Sequence, residues 1–196
     1  MPESGAKNEA PTFALSGNIV ATIYTIGHST RTLDELVAAL HGQGIKTLVD
    51  IRSFPMSRRL PHFNRESLEQ ELARCGIAYI WMKELGGRRK KMRDDSPNTG
   101  LRNESFRNYA DYMMTPEFAD GSARLVEIAE REKTAIMCAE RVYFQCHRML
   151  VSDYLVAHGH TVLHIDDEKR PVRPHKLMAE ARLVEGKLVY NAQQLF

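Results

Sequence analysis

The sequence predicts one α/β domain: a mostly parallel five-stranded sheet with helices on both faces, a Rossmann-like arrangement. Three observations carry that expectation. Short apolar, β-branched runs recur along the chain, stretches of helical periodicity separate them, and a glycine stands just beyond several of those stretches. Alternation at this spacing is what a parallel sheet with crossover helices requires.

Residues 23–27, Ile-Tyr-Thr-Ile-Gly, read as the first strand, because a β-branched run stopped by glycine suits a buried strand. Leu33, Leu36, Val37 and Leu40 then repeat at helical spacing, with Thr30 or Thr32 as N-cap and Gly42 or Gly44 past the end. The second strand spans 46–51. A polar loop holding Pro55 and Pro61 leads to a helix over 65–75, closed by Gly76, and residues 78–82 make a third strand. Gly, Pro, Asn and charged residues fill 86–102 without periodicity, which predicts a long loop. Helices over 106–114 and 117–131 follow, with Pro116 at a first-turn position. The fourth strand is 134–138, a further helix runs over 146–158 before Gly159, and the fifth strand is 161–165. Residues 1–22 read as a flexible leader and 23–166 as the domain. The polar tail, 167–196, forms a hairpin or short helix that packs on the domain or extends it. The expected strand order is 3-2-1-4-5.

With 196 residues, 43% hydrophobic and 27% charged, the composition is that of an ordinary globular protein. No run approaches the roughly 18 apolar residues of a membrane span. The first twenty residues lack the basic start and apolar stretch of a secretory signal. A net charge of +2 is too small to demand a nucleic-acid partner. Three cysteines, at 75, 138 and 146, follow no framework spacing, which favours free thiols in a reducing cytoplasm.

Ligands of open parallel sheets bind beyond the carboxyl ends of the strands, where strand order reverses; here that falls between the first and fourth strands. Those ends carry Gly27, His28 and Ser29, then Asp50 with Arg52, then Cys138 with Glu140, and finally His164 and Asp166. Each i, i+2 pair shares a face by strand alternation. Cys146, His147 and Arg148 open the helix after the fourth strand. A thiol in a first helical turn faces unpaired N–H groups, which favour the reactive thiolate. His28 is its natural proton acceptor, since adjacent helical residues such as His147 diverge by about 100°. Glu140 serves as general base or anchors Arg52 or Arg148, and Asp50 completes the catalytic set. Arg52, Arg58 and Arg148 suit an anion clamp, with Gly27, Ser29 and His147 beside them. Plainer readings stand against each: Cys146 as an unreactive thiol, Cys138 as core packing, the carboxylates as ion-pair partners.

Three functions compete. The leading one is an enzyme acting on a small anionic or nucleotide-like substrate. A non-catalytic nucleic-acid or nucleotide binder would use the same arginines. To them it would add Arg88, Arg89, Lys90, Lys91 and Arg93, offset by Asp94 and Asp95, with Tyr79, Trp81 and Phe106 for stacking. A metal protein would draw on Cys138, Glu140, Cys146, His147, His28 and Asp50, although the Cys138–Cys146 spacing is not that of a zinc knuckle or ribbon. Neither a cofactor nor an oligomeric state follows from the sequence.

TIGHS at 25–29, LVDIR at 48–52 with Pro55, Ser57 and Arg58 after it, and CAE at 138–140 leading to CHR at 146–148 resemble the bacterial and archaeal "domain of unknown function 488" family. The resemblance runs from about residue 23 to 165. It implies one α/β domain and a single site formed by these motifs, and it implies no substrate.

Overall fold

The computed structural model describes residues 20–167 and 169–191; of the expected leader, residues 1–19 lie outside them. The elements follow in chain order as β1 (Thr22–Gly27), α1 (Leu33–Gly42), β2 (Thr47–Asp50), α2 (Arg65–Arg74), β3 (Ala78–Trp81), α3 (Glu104–Met113), α4 (Pro116–Arg131), β4 (Thr134–Cys138), α5 (Arg148–Ala157) and β5 (Thr161–Ile165). Three short strands close the described chain: β6 (Arg173–Pro174), β7 (Ala181–Val184) and β8 (Lys187–Tyr190). Among the described residues, no helix is long and apolar enough to cross a membrane.

Local chemistry fixes the helix boundaries. Thr32 caps α1 by accepting from the Glu35 amide while the Glu35 side chain accepts from the Thr32 amide. Such reciprocal capping contributes about 1 kcal/mol. Asn103 and Thr115 cap α3 and α4 by accepting from the Phe106 and Phe118 amides, and Pro116 takes the first turn as expected. The helix expected from Cys146 begins later. A 3₁₀ turn over Tyr143–Gln145 intervenes, Cys146 is extended, and His147 is the N-cap of α5.

The sheet order is β3-β2-β4-β1-β5-β6, which corrects the expected 3-2-1-4-5. β4 lies between β1 and β2, pairing Cys138 with Gly27 on one side and Met137 with Asp50 on the other. Apolar patterning does not decide this, because buried strands of a parallel sheet are near-continuous hydrophobic runs wherever they sit. The first five strands are mutually parallel, and β6 adds one antiparallel edge pair.

Strand alternation then divides the core in two. Ile26 and Leu48 join Leu36, Leu40, Leu68 and Leu72 beneath α1 and α2. Ile23, Val49, Ile51 and Ile136 join Tyr109, Phe118, Leu125 and Leu150 beneath α3, α4 and α5. Full burial of each such side chain is worth about 1.5–3 kcal/mol. The chain therefore leaves β1 for one face and the adjacent β4 for the other, so the reversal still falls between β1 and β4.

No strand or α-helix forms between residues 86 and 103, as expected for the long loop. It is nevertheless tied down. Buried Asn98 donates to Asp111 at 2.8 Å and accepts from the Tyr190 amide at 3.0 Å, joining the loop to α3 and β8. The tail forms the hairpin β7–β8, turning through Glu185 and Gly186, both at positive φ. Two left-handed residues match the twist of the strands they connect.

Candidate functional site

The polar residues at the strand ends do not form one cluster, because the sheet lies between two. Beneath α1 and α2, Asp50 is fully buried and paired with Arg52, which donates to it from Nε at 2.9 Å and from Nη2 at 2.5 Å. Arg52 also donates to the Phe63 carbonyl, and the Tyr79 hydroxyl donates to Asp50 at 2.7 Å. Burial, then the Asp50 charge, raises the Tyr79 pKa. His28 stacks on Phe63 at 4.1 Å. Its Nδ1 faces the Ser29 carbonyl, which only accepts, so Nε2 is left to accept from Arg52 at 3.3 Å. Burial first, and Arg52 second, lowers its pKa to about 4. His28 is thus committed to Arg52 and Ser29; the ring that faces Cys146 belongs to His147.

On the opposite face, Cys138 ends β4 and Cys146 precedes α5, both buried. His147 Nδ1 lies 3.5 Å from Cys146 Sγ and 3.8 Å from Cys138 Sγ, while its Nε2 lies 3.0 Å from the Ile51 carbonyl. The contact forms at the junction where the extended Cys146 passes into the helical backbone of His147. The Arg148 amide donates to Cys146 Sγ at 3.5 Å. Hydrogen bonding with the Cys138 thiol, helped by His147 and Arg148 against the burial, lowers the Cys146 pKa. The same bond, with burial, pushes Cys138 well above the usual thiol range.

Arg148 is 1% exposed, and among the described residues its guanidinium donates only to neutral acceptors: Thr25 Oγ1 at 3.4 Å and the carbonyls of Glu140 at 2.5 Å and Arg141 at 3.1 Å. Among the described residues its Nε has no partner. The Glu140 side chain, expected to anchor an arginine or act as base, is exposed; its backbone carbonyl does the anchoring. That carbonyl explains Gly27, where a Cβ would stand 1.9 Å from the Glu140 oxygen. Ser29 adopts φ 49° and donates its amide to the Ala139 carbonyl, joining the loops after β1 and β4. Arg58 is exposed on the loop after β2, apart from the two buried arginines with which it was grouped.

Sequence reasoning missed two features. Arg31 is buried and donates to the carbonyls of Gly27 and Asp166. Burial, then Arg141, lowers its pKa. It borders an open cleft of about 360 Å³, shared with Arg141, Lys169, Arg170, Glu35 and Asp167. The second feature is a buried chain of hydrogen bonds. Thr25 meets His164 at 2.7 Å, His164 meets His175 at 2.9 Å, and His175 meets Asp153 at 2.8 Å. Only His164, a polar residue within an apolar strand, gave any signal of it; His175 lies in the tail, where no pattern placed it.

Fold and site together define an α/β protein with a buried Cys-Cys-His group at the carboxyl rim of its sheet, backed by arginine. The chain belongs to the family described as domain of unknown function DUF488, which it matches over residues 32–155. That span includes the LVDIR, CAE and CHR segments and begins after TIGHS. No curated protein matches the chain. No solved structure matches it either.

Proposed function

We propose that the protein is an enzyme acting on a small anionic or nucleotide-like substrate, with Cys138, Cys146 and His147 as its reactive centre and Arg148 and Arg31 as the cationic flank. Arg148 carries this reading. Among the described residues its buried guanidinium meets no carboxylate and keeps one donor unmet, a donor that an anionic ligand would satisfy. The arginine-lined cleft at Arg31 supports the same class of substrate.

Calorimetry and thermal unfolding with inorganic phosphate, sulfate and nucleoside monophosphates test it. At least one anion is expected to bind and raise the melting temperature, and Arg148→Gln is expected to lose that response. Absence of binding by all of them at millimolar concentration would sink the reading.

A specific surface favours a second reading, nucleic-acid binding. Phe54, Met56, Met92 and Phe144 are exposed on loops that leave the carboxyl rim. Arg58, Arg59, Arg88 and Lys90 are exposed on the loops that carry Phe54, Met56 and Met92, and the Arg88 guanidinium stands 5.8 Å from the Phe54 ring. Stacking bases and phosphates would use such a surface. Oligonucleotide binding that weakens steeply with salt, and again in Phe54→Ala, is its expected sign.

A further inference from the structure

We propose that Cys138, Cys146 and His147 hold a soft divalent cation of the zinc class in a three-ligand site with one position open, so that Cys146 is a ligand and not the nucleophile. The inference rests on the reading of this group as the reactive centre, and it names what that centre contains.

Distances come first. The three donor atoms lie within 4.8 Å of one another. A tetrahedral zinc ion about 2.3 Å from sulfur and 2.0–2.1 Å from nitrogen sets those donors about 3.6 Å apart. The two sulfur–nitrogen separations here are 3.5 and 3.8 Å. The imidazole nitrogen therefore already stands at ligand spacing from both sulfurs, and closing the sulfur pair onto an ion takes a movement of at most about an ångström.

The protonation pattern comes second. The Ile51 carbonyl can only accept, so His147 Nε2 carries the proton facing it. In the neutral ring the lone pair of Nδ1 then points toward both sulfurs. A carbonyl fixing the far nitrogen is the usual outer partner of a metal-bound histidine. The ring is also held in place, because a Cβ at Gly87 would stand 2.4 Å from Nδ1.

Charge and ligand type come third. Two thiolates neutralise a dication, any proton still held on sulfur leaving to solvent on binding. The Arg148 amide donates to one sulfur, and the guanidinium leaves the whole region positive, which suits an anion at the open position. Sulfur ligands select zinc-class ions over magnesium or calcium. The Cys138–Cys146 spacing matches no zinc knuckle because the ligands come from a strand end and a helix cap, brought together by the crossover.

The full chain, purified reduced, is to be titrated with Zn²⁺ against a chromophoric chelator and with Co²⁺ by absorption. One equivalent is expected, with the intense visible bands of tetrahedral cobalt and a sulfur charge-transfer band. Cys138→Ser and Cys146→Ser are expected to weaken zinc binding by more than the roughly 10–100-fold that losing an outer hydrogen-bond partner costs. Cys75→Ser is expected to bind like the parent chain, and circular dichroism checks that each variant folds. Octahedral cobalt bands, equal binding in folded Cys146→Ser, or a Cys138–Cys146 disulfide formed in place of metal binding would overturn the proposal. Phosphate binding lost in Arg148→Gln but kept without metal would leave the enzyme reading standing while the metal falls; loss of both phosphate and zinc binding from the parent chain would remove both.

Discussion

Lowering the pH from 7 to 5 protonates His164 in the unfolded chain but hardly at all in the folded one. Burial first, then the charges of His175, Arg148 and Arg173, lowers its pKa from 6.5 to about 3. The neutral ring hydrogen-bonds Thr25 at 2.7 Å, stacks on Tyr143 at 3.6 Å and meets His175 at 2.9 Å. Because the folded value lies below the unfolded one, the stabilisation is complete above pH 6.5 and fades as the pH falls toward 3. At pH 5 the loss is about 1.5 pH units at roughly 1.4 kcal/mol each, or about 2 kcal/mol, approaching about 5 in strong acid. Urea unfolding of the parent chain and of His164→Gln at both pH values reads this. The variant loses hydrogen bonds at either pH, so the informative quantity is the drop between them, smaller in the variant by about 2 kcal/mol. Other acid-sensitive groups, His28 among them, cancel in that difference. Equal drops in the two proteins would refute the reasoning.

Gly27→Ala forces a methyl group onto the Glu140 backbone carbonyl, which cannot rotate away, and is expected to cost about 3 kcal/mol or more by urea unfolding. Asp50→Asn removes the charge partner of a buried arginine and is expected to cost about 3–5 kcal/mol, read in the same way. Gly87→Ala pushes on the His147 ring and is expected to lower zinc affinity about tenfold in the chelator titration; unchanged affinity would mean that the ring is not held for an ion.

The α/β class, the five parallel strands and the unstructured loop over 86–102 were legible because each rests on local pattern. Strand order was not. β1, β2 and β4 are alike in being buried on both faces, and nothing within Thr134–Cys138 says that it separates the other two. The Asp50–Arg52 pair was legible from alternation. The meeting of Cys146 with His147 was not, because it depends on a 3₁₀ turn that delays α5 by two residues. Arg31 and His175 were invisible for a similar reason, since Arg31 reaches the Asp166 carbonyl more than a hundred residues away and His175 the Asp153 carboxylate some twenty residues away.

Satisfaction of hydrogen bonds separates the two polar groups that the sheet divides. Asp50 accepts from the Arg52 side chain, the Arg52 amide and the Tyr79 hydroxyl, and both nitrogens of His28 are engaged. A ligand binding there would have to break bonds already made in a dry setting, at a cost of about 1–3 kcal/mol for each buried group left unmet. Across the sheet the balance is reversed: Arg148 keeps an unmet donor, and two sulfurs share one imidazole nitrogen. Adding a ligand or ion there completes bonds instead of replacing them. The proposed chemistry therefore belongs on the α5 side, where Gly87 of the long loop packs against His147 and the Arg148 amide donates to Cys146.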